Sequence, residues 1–271
     1  MSLPLPTSLS PSKVTAFKEC ALAFRFSAID RLPEPPSPWA AKGTLVHRAL
    51  ELLFWEFPAG ARTPDVAADC LGRAWAGLCE HPEFADLGLS AEEQEAFVAE
   101  AAELLRRYFE LEDPNGITVL ATELLLEATL GDMTLRGIID RLELDATGAL
   151  VVTDYKTGRP PSEFRERSRM EGIHFYAYLC EQALGVRPAR IQLLYLSEPV
   201  VISTVPSAQS IRGMQVKASA IWTAVERACQ REDFRPQPSG LCPWCAYQAY
   251  CPAFGGNPAD ALAGVATVPT P

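Results

Sequence analysis

Two acidic strand-like stretches hold the side chains best suited to joint chemistry. They are Gly137-Ile-Ile-Asp140-Arg141 and Thr153-Asp154-Tyr155-Lys156-Thr157-Gly158. In extended chain the side chains alternate, so Asp154 and Lys156 share one face while Tyr155 points to the other. Two carboxylates among apolar strand residues are costly to bury unpaired, and a hard divalent cation, Mg2+ or Mn2+, relieves that cost through oxygen ligands. The ammonium two residues on can orient an attacking water and stabilise charge on a phosphate. A surface Asp–Lys pair beside a turn accounts for the same residues without a metal. His47, in Gly43-Thr-Leu-Val-His47, is one of three histidines. It suits helix packing beside Leu50 and Phe54, or, as neutral imidazole, completion of a carboxylate metal site. Glu123 offers a third carboxylate approach. His174 and Tyr178, four apart, share a helix face, where core and rim packing also explains them.

A second constellation is Cys242-Pro-Trp-Cys245-Ala-Tyr-Gln-Ala-Tyr-Cys251-Pro252. Two thiols three apart can chelate, and a third at C-x5-C spacing fits the same wrap. Cys20, in the first helix, is the expected fourth ligand; Cys70, Cys79, Cys180 and Cys229 lie in helical patterns as small buried hydrophobes. Zinc and a [4Fe–4S] cluster both accept four thiolates. The three-plus-one distribution with a following proline leans towards iron–sulfur, and spacing leaves zinc open.

The elements that must position these groups follow from periodicity. Ser10-Pro11-Ser12 opens a helix reaching about Ile29, Pro33 to Pro38 is a stiff connector, and a helix follows over about Ala40–Phe57. Residues 64–112 are helical and acidic. After Asp113-Pro-Asn-Gly116 the period changes: Ile117–Leu130, Met133–Leu144 and Leu150–Tyr155 form an antiparallel three-strand meander, separated by Gly131-Asp132 and Asp145-Ala-Thr-Gly148. A helix at about 169–184, a strand at Arg190–Leu196 and a helix at about 209–230 complete an α/β core.

Hydrophobic residues at 48% and charged residues at 21% exclude a disordered chain. No apolar run reaches the roughly 18 residues of a membrane span, and the start lacks a charged, apolar leader, so a cytoplasmic protein is expected. The net charge of −10 argues against a nucleic-acid partner only until it is divided, because residues 51–127 hold 17 acidic side chains against 4 basic ones. A local basic surface at Lys156, Arg159, Arg165, Arg167 and Arg169 therefore stays open, as does a solvated loop paired with Glu163 and Glu166.

In order and over about residues 8–255, these pieces resemble the RecB-type branch of the PD-(D/E)XK nucleases. More narrowly, they resemble its iron–sulfur members, such as AddB-type and CRISPR-adaptation nucleases. The resemblance implies a restriction-endonuclease-like core with a mixed sheet (meander, helix, strand) plus N-terminal, inserted and C-terminal helices. It implies a metal held by His47, Asp140, Asp154 and the Tyr155 carbonyl, with Lys156 catalytic and Tyr178 as the tyrosine of the family's Q-x3-Y, whose glutamine is here His174. It also implies a [4Fe–4S] cluster on Cys20, Cys242, Cys245 and Cys251.

The organisation expected is residues 1–50 with the first cysteine and the histidine, an acidic helical insert at 51–115, the nuclease core at 116–200, a helix and cysteine cluster at 201–255, and a frayed tail at 256–271. The function expected is metal-dependent DNA hydrolysis, as an exonuclease on single strands or ends, in repair or recombination. The chain carries no G-x4-G-K-[ST], so a helicase partner would be another protein. The rival readings are a non-catalytic DNA-binding subunit with an architectural cluster, and a zinc-binding hydrolase of unrelated type.

Overall fold

The computed structural model describes residues 2–265, with side chains outside 163–171 and 262–265. The chain opens with α1 (Pro11–Glu19), where Ser10 caps Lys13 N–H and proline takes the first turn. At Cys20 the backbone is extended, with φ −161° and ψ 108°. The one helix expected to Ile29 is thus divided into α1, the single turn α2 (Ala21–Phe24) and a π-type turn at Arg25–Ile29. Ser37 then caps α3 (Pro38–Glu56), and Thr63 caps α4 (Pro64–Leu78). After α5 (Pro82–Ala85), α6 (Ala91–Leu111) starts in a reciprocal Ser90–Glu93 capping box.

The sheet comprises β1 (Thr118–Leu130), β2 (Met133–Leu144), β3 (Leu150–Lys156), β4 (Arg190–Tyr195) and β5 (Val200–Thr204), hydrogen-bonded in that order. Between β3 and β4 runs α7 (Glu163–Leu184), which ends at left-handed Gly185, φ 72°. Helices α8 (Ala208–Arg231) and α9 (Pro258–Val265) follow. Strands β2 and β3 are antiparallel, β3 and β4 parallel through the α7 crossover, and β4 and β5 antiparallel. This is the mixed α/β architecture expected, a restriction-endonuclease-like fold.

The structure adds β5, an edge strand beyond the elements expected from the sequence. Its five residues lie between Pro199 and Pro206, too short a run to show alternation. Helix α9 falls in the segment expected as a tail; 266–271 lie outside the described residues. No helix among the described residues is long and apolar enough to cross a membrane.

The chain divides into two compact units. One comprises residues up to Pro35, Ala128–Arg136 and residues from Gly213; Leu22, Phe24, Phe26, Leu32, Val225, Cys229, Phe234 and Tyr247 form its core. Leu9 pairs with Leu135 in a parallel bridge there. The other unit comprises Pro36–Glu127 and Gly137–Arg212, with a core drawn from α3, α4, α6, β3 and β4.

Candidate metal centre

All residues of the centre lie in the second unit. Helix α3 brings His47 to the sheet because Gly43, one turn earlier, permits close approach. A Cβ at Gly43 would stand 3.3 Å from Thr157 Oγ1. His47 Nε2 lies 3.2 Å from the Tyr155 carbonyl oxygen, and Nδ1 lies 3.6 Å from Asp140 Oδ2 and 3.8 Å from Glu123 Oε1. With Nε2–H donating to the carbonyl, the Nδ1 lone pair faces two carboxylates.

Strand β2 presents Asp140. The register pairs Arg141 with Thr153; continued by one residue, it sets Asp140 opposite Asp154. Asp140 is buried, and its Oδ2 accepts the Tyr155 N–H at 2.6 Å. On β3, Asp154 is ion-paired with Lys156 across one pleat, as alternation demands. Tyr176 of α7 donates its hydroxyl to Asp154 Oδ1 at 3.4 Å. Gly137 makes room for that helix: a Cβ there would stand 2.9 Å from Leu179 Cδ1 and 3.2 Å from the Tyr176 ring.

Strand β1 supplies Glu123 in a left-handed conformation, φ 46°. A non-glycine residue holds that conformation at a cost of about 1–3 kcal/mol. The reversal interrupts the strand's alternation and re-aims the side chain.

The electrostatics agree with the geometry. Burial, then the Asp154 charge, holds the Asp140 carboxyl well above its usual range. Burial, then Asp140, pushes Glu123 up to about 7, against the pull of His47. Burial lowers the His47 imidazole despite the nearby acids, so it is neutral at pH 7. Burial also lowers the Lys156 amine, but Asp154 and then Asp140 outweigh it and the net shift is upward. Burial, then Asp154, raises the Tyr176 phenol, which keeps its proton.

His47, Glu123 and Asp140 offer ligand atoms all within 4.8 Å of one another, the one such group among the described residues. A neutral imidazole beside two carboxyls that burial and neighbouring acids keep from ionising fits a divalent cation, since the cation replaces the protons the carboxyls otherwise need.

Residues 8–252 match the PD-(D/E)XK nuclease superfamily. The chain belongs to that superfamily. Its members are nucleases, hydrolases of nucleic acids that use divalent metals, and the His47–Glu123–Asp140 group is a fitting place for one. A known relative, the Gene 69 protein of Mycobacterium phage D29, is 25% identical over 180 residues, covering 57% of this chain and 64% of the relative. The chain thus spans just under two thirds of that relative's length. A solved structure from Eubacterium rectale, whose name carries a provisional exonuclease assignment, is 12% identical. It matches 89% of this chain and 88% of its own, with a TM-score of 0.55, a likeness that bears on fold alone.

Of the residues expected at the centre, His47 and Asp140 come together in the three-ligand group. Asp154 and Lys156 stand as a pair on the neighbouring strand, and the Tyr155 carbonyl faces His47. Tyr178 is buried on α7, while Tyr176, two residues earlier and not singled out in the sequence, is the tyrosine at Asp154. Strand β3 fixed the face of Asp154, but nothing in the helix sequence told which tyrosine would meet it. Of the expected basic surface, Arg165, Arg167 and Arg169 lie outside the described side chains.

Cys20, Cys242, Cys245 and Cys251 belong to the first unit. Cys20 Sγ accepts the Gln237 N–H at 3.5 Å and Cys242 Sγ the Ser239 N–H at 3.2 Å. Burial first, and then the Cys20, Cys242 and Cys251 thiols, raise the Cys245 thiol. No three of these sulfurs come within 4.8 Å of one another among the described residues.

Proposed function

We propose that this PD-(D/E)XK protein is a Mg2+- or Mn2+-dependent deoxyribonuclease of the RecB-type, iron–sulfur-containing branch. In this reading it acts as an exonuclease on single-stranded DNA or DNA ends in repair or recombination. The observation that carries the reading is the convergence of His47, Glu123 and Asp140 from three separate elements beside the Asp154–Lys156 pair.

His47, Glu123 and Asp140 would hold the cation, with Asp154 joining from the opposite strand. When bound, the cation polarises a phosphate oxygen and makes nearby water a better nucleophile. Lys156 stays cationic, so its part is electrostatic: it faces the negative charge that grows on the phosphate during attack. A protonated amine cannot serve as the base. Asp154 keeps the ammonium aimed, and the Tyr176 hydroxyl orients Asp154 in turn. The Tyr155 N–H, by donating to Asp140, holds that carboxylate towards the centre.

The same reading gives Cys20, Cys242, Cys245 and Cys251 a [4Fe–4S] cluster. Support comes from their place in one compact unit, where the Cys20, Cys242 and Cys251 thiols all act on Cys245. The test is one anaerobic preparation with visible spectrum and metal content recorded. It is then given end-labelled single- and double-stranded DNA, with Mn2+ and with chelator, alongside Asp154→Ala. Metal-dependent cutting that Asp154→Ala abolishes is expected. Binding without cutting would favour a non-catalytic subunit, and a colourless zinc-containing sample the zinc hydrolase.

A further inference from the structure

Behind the metal-facing side of β2 and β3 lies a charged cluster that the chemistry above leaves unused. Arg141 follows Asp140, so its side chain leaves the strand on the opposite face, and it is 0% exposed. Its guanidinium is ion-paired with Glu143 and with both carboxylate oxygens of Glu112. It donates to the Tyr155 hydroxyl at 2.7 Å and to the Tyr108 hydroxyl and Thr153 Oγ1 at 3.3 Å each. The Phe54 ring lies 4.6 Å from it.

Such a cluster does little for stability. Desolvation of a buried guanidinium and two carboxylates takes back most of their attraction, and apolar side chains of similar volume hold a core as well or better. What the cluster does impose is the conformation of Tyr155. That side chain is buried, and its hydroxyl is pinned by Arg141. On the other side of the strand, the Tyr155 N–H donates to Asp140, and the Tyr155 carbonyl faces His47. Tyr155 is therefore held from behind while its main chain touches two of the three ligands in front.

We propose that Arg141, balanced by Glu112 and Glu143, is a positioning residue. By locking Tyr155 it sets the separation of Asp140 and His47 to suit a divalent cation. The inference rests on the metal reading above and adds the claim that the site's affinity is built from the far side of the sheet.

Two variants test it. Tyr155→Phe removes only the hydroxyl. The triple variant Arg141→Met, Glu112→Gln, Glu143→Gln removes the charges together and leaves no lone buried ion. Each is compared with the wild type and with Asp140→Asn for melting temperature in chelator, for Mn2+ affinity by titration calorimetry without DNA, and for kcat and KM on an end-labelled strand. Mn2+ binding about 10-fold weaker is expected, on the scale of outer partners of metal ligands. The melting temperature should be near wild type, and kcat should fall with KM for DNA unchanged. Folded variants with wild-type Mn2+ affinity and kcat would overturn the positioning role and leave the metal reading standing. Equal Mn2+ binding by wild type and Asp140→Asn would sink both. Should the triple variant not fold, Tyr155→Phe decides alone.

Discussion

At Glu123 the carboxyl is pushed up to about 7 by burial and then by Asp140. A group whose folded-state pKa is raised contributes stability that is present at low pH and lost as pH rises through the folded value. The metal-free protein should therefore melt at a lower temperature at pH 8 than at pH 6. Mn2+ should bind more tightly at pH 8, since at pH 6 it must displace a proton. Calorimetric titration at the two pH values checks this, and equal affinities would count against Glu123 as a ligand. Lys156→Ala should lower kcat by about 10²- to 10³-fold, the worth of one group aimed at developing charge, with the circular dichroism spectrum unchanged. The Asp154-x-Lys156 spacing was legible because pleat alternation is local. The left-handed turn of Glu123 was not, because no glycine marks it.

The helices reach the sheet through two glycines. Gly43 of α3 lies against Thr157, just past the end of β3, and Gly137 of β2 against Leu179 and Tyr176 of α7. Gly137→Val should cost about 1–3 kcal/mol by overpacking, seen as a lowered melting temperature. It should also displace Tyr176 from Asp154 and so reduce kcat. Wild-type melting and rate in that variant would show that α7 docks without the close approach. The three strands of the meander were readable to within a residue, because β-branched runs and turn residues mark both their ends. The first helix was not. Nothing in its composition forbids continuing through Cys20, where the structure turns extended.

At the scale of the whole chain, Cys20 stands 222 residues before Cys242, yet both belong to one compact unit. If they share a cluster, Cys20→Ser should bleach the visible absorbance and lower the melting temperature, because metal binding then closes a very long loop. Unchanged colour and stability would remove Cys20 from the ligand set. Sequence alone settled what repeats over two to four residues: strand faces, the hairpin turns of the meander, and the shared face of Asp154 and Lys156. Local geometry follows from backbone stereochemistry, so spacing is enough to read it. Only the tertiary structure decided that His47 meets a carbonyl 108 residues away, that Glu123 completes the group with Asp140, and that Tyr176 reaches Asp154. Those contacts depend on how closely helices pack on the sheet and on one reversed backbone angle, which no local pattern encodes.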